Sequence, residues 1–188
     1  MSIIKIGSSK DKKGVEVVPN KVLFNGNRVK KMIKDNIVLF EENLTWFSNG
    51  RFYNEDVLGA PNFYFRKGVN NYGSDGFIYL PNYATEGDSM LYTGNVIPRG
   101  KYKRVEVSFE LTSQYGNSTY RFGFGLTATK NNTANVGNRE YKTNTFNTSA
   151  SKVKEVYDLT TYNASSKDLY FFVGGVAVAK IYKIEFFE

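Results

Sequence analysis

The chain has 188 residues, with 14 Tyr, 15 Phe, one Trp, 17 Gly, no Cys, no His and a formal net charge of +7. Disulfides, thiolate metal sites and a cysteine nucleophile are excluded, and the commonest general base and zinc ligand is missing. Abundant aromatic residues with many glycines give an all-β composition, sized for one large domain or for a small module with one sandwich-sized domain.

The positive balance would suit an anionic partner. No dense basic run appears, however, so scattered surface lysines are the plainer reading and a nucleic-acid partner is not expected. Met1-Ser2-Ile3-Ile4-Lys5-Ile6-Gly7 lacks the apolar core of a signal peptide, and no stretch approaches a membrane span. Synthesis in the cytoplasm, with no membrane partner, is the expectation. Asn43-Leu44-Thr45, Asn117-Ser118-Thr119 and Asn163-Ala164-Ser165 fit the glycosylation acceptor pattern, which has no meaning without a secretory route.

Regular structure is expected from Gly14. Val15–Val18 and Lys21–Phe24 read as strands, broken by Pro19-Asn20. Arg28–Lys34 and Ile37–Phe40 follow, with Asn25-Gly26 and Asp35-Asn36 as tight-turn residues. Residues 14–42 are read as a small three-stranded β-meander, with a short helix over Val29–Ile33 as the alternative. The domain boundary falls near Glu42. Residues 43–60, rich in aromatics without clean alternation, read as a connector tucking rings under a sheet edge.

Short strands are expected at Asn62–Arg66, Phe77–Leu80 and Ser89–Tyr92, between turns that hold Gly68, Gly73 and Pro81. The clearest pattern lies in Lys103–Thr129. Val105, Val107, Phe109 and Leu111 alternate with polar residues, and Tyr120, Phe122, Phe124 and Leu126 alternate with Arg121, Gly123 and Gly125. This is read as an antiparallel hairpin with one buried face, which needs a second sheet to cover it. Ala128–Ser151 is polar, long for a loop and a natural place for a binding excursion, with a strand possible over Tyr141–Phe146. Val153, Glu155 and Tyr157 share one face of the next strand. Leu169–Val173 reads as a buried strand, Gly174-Gly175 as a turn, and Val176–Phe187 as the last strand, with Tyr182, Ile184 and Phe186 on one face. Eight or nine short strands beyond Phe52 predict an all-β fold: an antiparallel β-sandwich (jelly roll) over residues 43–188, preceded by the small N-terminal meander in residues 1–42.

Two stretches carry a resemblance. The run from Val22 through Asn25-Gly26-Asn27, Val29, Asp35-Asn36 and Val38 to Phe40 is similar to a β-meander of tail and baseplate proteins of phages of Gram-positive bacteria. Tyr102–Phe109, Tyr157-Asp158-Leu159-Thr160 with Leu169–Val173, and Lys180–Phe186 resemble core strands of the carbohydrate-binding-module-like jelly rolls, of galactose-binding type, in phage tail proteins. The resemblance implies a virion protein made in the bacterial host cytoplasm. It also implies that residues 1–42 serve attachment or assembly, other virion proteins are partners, the chain is a homo-oligomer, and the jelly roll touches host cell-wall polysaccharide.

For saccharide binding, exposed rings cover the C–H face of a sugar while neighbouring polar groups bond its hydroxyls. Loop-borne candidates are Trp46, Tyr72, Tyr83, Tyr115 and Tyr162, with Arg99 and Asn117 as the leading polar partners and Asn71, Asp75, Gln114 and Arg139 as others. Singly, each ring is more often core or rim than platform. No cofactor is expected, apart from the structural calcium ion that the resembled jelly rolls carry. Its conceivable ligands are Glu86 and Asp88, with Asp158 and Glu185 beyond them, although a solvated loop is the plainer reading. A hydrolase needs two facing carboxylates, and none are paired by spacing, so no enzyme is expected. The leading reading is a non-enzymatic phage or prophage virion structural protein, a tail or baseplate accessory. A free-standing carbohydrate-binding module and a glycan-active β-sandwich enzyme are the alternatives.

Overall fold

The computed structural model describes residues 15–18, 21–24, 27–29, 31–34, 37–65, 71–72, 75–80, 89–113, 122–128, 130, 145–146, 150–163, 168–175 and 178–188. The chain divides into two compact units, Met1–Leu44 with Phe187–Glu188, and Thr45–Phe186.

In the first unit, β1 (Val15–Val18), β2 (Lys21–Phe24) and β3 (Asn27–Val29) form a three-stranded antiparallel sheet in chain order. β4 (Lys31–Lys34) and β5 (Ile37–Glu41) form a separate hairpin that ends on the Lys34–Ile37 pair. The strand expected over Arg28–Lys34 is therefore two strands, and no helix covers Val29–Ile33.

The second unit begins within β6 (Asn43–Ser48), which is followed by β7 (Arg51–Phe52) and paired with it through Phe47–Phe52 and Ser48–Arg51. Asn49 (φ 51°) and Gly50 (φ 75°) lie between them, the positive-φ pair that a two-residue hairpin requires. The expected connector is thus a strand pair, and it joins a sheet. A single helical turn, α1 (Glu55–Leu58), precedes β8 (Asn62–Phe65), β9 (Asn71–Tyr72), β10 (Ile78–Leu80) and β11 (Ser89–Tyr92). Then come β12 (Arg104–Ser113), β13 (Phe122–Thr127), β14 (Thr145–Phe146), β15 (Ala150–Asp158), the short helix α2 (Thr160–Asn163), β16 (Tyr170–Gly175) and β17 (Val178–Phe187).

These strands build two antiparallel sheets packed as a sandwich. One has seven strands in the order β15-β12-β17-β10-β9, with β6 also pairing β17 and β7 pairing β6. The other has five, in the order β14-β13-β16-β11-β8. The all-β sandwich expected from the sequence is what the chain forms.

The expected hairpin of Lys103–Thr129 is not formed. β12 lies in the seven-stranded sheet between β15 and β17, whereas β13 lies in the five-stranded sheet between β14 and β16. The two strands face each other instead of pairing: the Phe109 ring sits 4.8 Å from Phe122 and 6.1 Å from Phe124, centroid to centroid. Alternation tells which side of a strand is buried and not which strand lies beside it. Two apolar faces are covered as well by facing one another as by sharing a third element. Phe171 and Phe186 make a similar contact across the sandwich at 5.4 Å. Such ring pairs contribute about 0.5–1.5 kcal/mol each beyond area burial. They sit in a core where Val105, Val107, Phe109, Leu126, Val173 and Ile184 are fully buried.

Gly174-Gly175 also differ from expectation. Both lie inside β16, paired with β11 through Ser89–Gly175 and Met90–Gly174. Gly174 has φ 147°, and a Cβ built there would fall 2.1 Å from the Ser89 carbonyl oxygen. The glycine serves close approach of two backbones and not a turn.

Candidate functional site

The outward face of the seven-stranded sheet carries a cluster of half-exposed rings. Its origin is the alternation of β10 and β17. Ile78 and Leu80 are buried, as are Ala179 and Ile181 opposite them. Tyr79, between the first pair, therefore points to the other face, directly across from Lys180. Phe77 and Tyr182 flank this pair, their rings 5.8 Å apart and 65° to one another.

Tyr182 owes its place to an irregularity. Ile181, Ile184 and Phe186 are all buried, while Tyr182 and Lys183 are consecutive half-exposed residues. The alternation of β17 slips by one there. Tyr182 therefore leaves the face of Ile184 and Phe186, where period two had placed it, and joins the polar row of β12.

That row is Arg104, Glu106, Ser108 and Glu110, opposite in parity to the buried Val105, Val107, Phe109 and Leu111. The Tyr182 hydroxyl donates to Glu110 Oε2 at 2.6 Å. This hydrogen bond, with partial burial and the charge of Glu110 behind it, pushes the phenol up from its ordinary value. Tyr182 is thus held as a neutral proton donor at ordinary pH. Glu110 is anchored by it.

Two lysines complete the cluster. Lys152 Nζ lies 4.2 Å from the centroid of the Tyr182 ring, and Lys180 Nζ lies 5.2 Å from that of Phe77. Each such cation–π contact contributes about 0.5–1 kcal/mol when exposed. Around them the other cations are ion-paired. Glu106 accepts from Arg104 at 3.0 Å and from Lys154 at 2.9 Å, and Lys183 reaches Glu185 at 2.8 Å. The arrangement offers ring edges, one hydroxyl–carboxylate pair and two ammonium groups on a sheet face. Such groups can bond a ligand that carries both hydroxyl or anionic groups and a C–H face.

The residues expected from sequence fare differently. Trp46 is fully buried in β6, its ring 5.3 Å from Phe52 and 6.4 Å from Phe171, and its Nε1 has no acceptor among the described residues. It has no free face to offer a sugar. Tyr162 is likewise buried, in α2. Its hydroxyl donates to the Ile97 carbonyl at 2.6 Å and accepts from the Leu169 N–H at 3.3 Å. Burial, the largest influence, raises its phenol. Trp46 lies close to Asn49-Gly50 and Tyr162 beside Asn163, yet their apolar bodies fill the core. Arg99 is exposed in a turn and pairs with Asp168 at 3.4 Å, with both side chains well exposed. Tyr72 lies in β9, where its backbone pairs with Ile78. Its side chain, and Tyr83, Tyr115, Asn117, Glu86 and Asp88, lie outside the described residues. Among the described residues no three His, Cys, Asp or Glu side chains gather as a metal site.

Sequence reasoning sought binding rings in loops and missed Phe77, Tyr79 and Tyr182. For Tyr79 the clue is plain in retrospect: Ile78 and Leu80 flank it, and period two turns it outward. No family model matches the chain, and no match is found among curated proteins.

Proposed function

We propose that the chain is a non-enzymatic structural protein of a phage or prophage virion, a tail or baseplate accessory. In this reading its sandwich unit binds host cell-wall saccharide through the face bearing Phe77, Tyr79 and Tyr182. The sequence resemblance of the N-terminal meander and of the sandwich strands supports the virion setting. One observation carries the binding role: three half-exposed rings and a tyrosine–carboxylate pair share one face of a rigid sheet. Rings so held cover a sugar without the cost of ordering a loop. Partners in this reading are other virion proteins and further copies of the same chain, with residues 1–42 as the attachment module.

The test is a screen of the full chain against purified cell-wall polysaccharides and a glycan array, with and without calcium. Saturable binding that falls in Tyr79→Ala and Tyr182→Ala supports the reading. Binding untouched by both removes this face from consideration. Particle assembly that proceeds normally without residues 1–42 favours a free-standing binding module over a virion part.

A further inference from the structure

Resting on that saccharide reading, we infer that the ligand of this face is an acidic glycan, one bearing carboxylate or phosphate groups along its sugar backbone. The observation is the contrast between the lysines at the rings and those around them. Lys154 and Lys183 have carboxylate partners at 2.9 Å and 2.8 Å. Lys130, beside the Tyr170 ring of the other sheet, has its ammonium on the Gly94 carbonyl. Lys152 and Lys180 have only the Tyr182 and Phe77 rings, and no carboxylate among the described residues.

This contrast sets which ligand fits. A neutral sugar stacking on Tyr182 or Phe77 has to push an ammonium group off the ring it covers. An acidic sugar keeps both ammonium groups in place and pairs with them, while its C–H face rests against Tyr79 and the ring edges. Glu110 keeps its charge while its Oε2 accepts from the Tyr182 hydroxyl at 2.6 Å, so the two ammonium groups still outweigh the single carboxylate beside them. Single-stranded nucleic acid fits less well. It needs a continuous track of phosphate contacts and parallel stacking faces, whereas Arg104, Lys154 and Lys183 are tied to Glu106 and Glu185, and Phe77 and Tyr182 meet at 65°.

The experiment is calorimetric titration of the full chain with two matched pairs of polymers: polygalacturonate against its fully methyl-esterified form, and phosphomannan against mannan. Oligo-dT is a fifth probe. Expected is binding to at least one acidic polymer, which says whether carboxylate or phosphate is read. That binding should weaken by roughly tenfold in the Lys152→Gln/Lys180→Gln double variant. The Lys154→Gln/Lys183→Gln double variant, which removes the same charge from ion-paired positions, should weaken it by less than about threefold. Equal losses in the two double variants would reduce the effect to net charge and overturn the inference. Equal binding of the neutral polymers, unchanged by either double variant, would overturn it while leaving the saccharide reading intact. Tighter binding of oligo-dT, or no binding of any polymer, would remove both.

Discussion

Two tyrosines of the sandwich have phenols raised above their ordinary value, for different reasons. Tyr162 is raised first by burial; Tyr182 is raised first by its hydrogen bond to Glu110. Around Tyr162 every group serves closure. Asn163 accepts from the Gly100 N–H at 2.8 Å and donates to the Tyr102 carbonyl at 2.8 Å, and the Leu159 N–H donates to the Lys103 carbonyl at 2.7 Å. Around Tyr182 the contacts are with charged side chains at a half-open surface. A tyrosine's hydrogen bonds therefore do not by themselves mark a site. A phenol bonded to backbone in the core staples loops together, and a phenol bonded to a carboxylate on a sheet face keeps part of its ring at the surface.

Truncation separates the two tyrosines most strongly. Tyr162→Ala should destabilise the sandwich by about 3–5 kcal/mol, from a large cavity and orphaned backbone groups; chemical denaturation measures it. Tyr162→Phe keeps the ring and should cost about 1–3 kcal/mol, because the Ile97 carbonyl and the Leu169 N–H lose their partner in a buried place. Neither should change glycan affinity at temperatures where the variant stays folded. Tyr182→Ala should do the reverse, with a smaller stability loss of about 1–2 kcal/mol and affinity for a bound glycan lower by roughly tenfold. A Tyr182→Ala chain that unfolds while Tyr162→Phe does not would invert the assignment.

Alkaline titration sharpens it further. Both phenols are raised in the folded state, so the stability they contribute is fully present below the unfolded value near 10 and is lost as pH rises through the folded value. Denaturation midpoints should therefore fall above about pH 10, and each Tyr→Phe variant should flatten that fall. In the Tyr182 case Glu110→Gln should flatten it too, since Glu110 is the main cause. The smallest effect belongs to Asp158, whose carboxylate accepts from the Thr160 N–H at 2.7 Å and is lowered by that bond. Its contribution is present above the ordinary value of 3.8 and disappears as pH falls through the lowered one, so Asp158→Asn should matter near neutrality and not in acid. Equal midpoint differences at both pH values would show that the bond does not depend on charge.

Much of the fold was legible because strand chemistry is local. The alternation of Val105, Val107, Phe109 and Leu111 gave the buried side of β12 correctly, and the pairing of Val105, Val107 and Phe109 with Tyr157, Glu155 and Val153 keeps one face for both rows. The partner of β13 was not legible. Sheet membership depends on long-range packing, and Phe122 and Phe124 are satisfied equally by a neighbour beside them or across from them. Asn49-Gly50 was a readable hairpin turn that the aromatic crowding of Trp46, Phe47 and Phe52 obscured. The candidate site was half legible. Tyr79 follows from its neighbours, but Tyr182 does not, because a one-residue slip inside β17 leaves no mark in the composition of Lys180–Phe186.

The pairing of β6 with β17 has a consequence for how this protein is assembled from parts. These are the first and last strands of the sandwich unit, and they are neighbours in one sheet. A unit whose chain arrives and departs side by side behaves as a cassette. It can be inserted into another chain, or cut and rejoined elsewhere, across one seam of backbone hydrogen bonds. Phe77 and Tyr79 lie away from that seam in sequence, whereas Lys180 and Tyr182 lie on β17 itself, so the ring-bearing face would travel with the cassette only where β17 is carried whole.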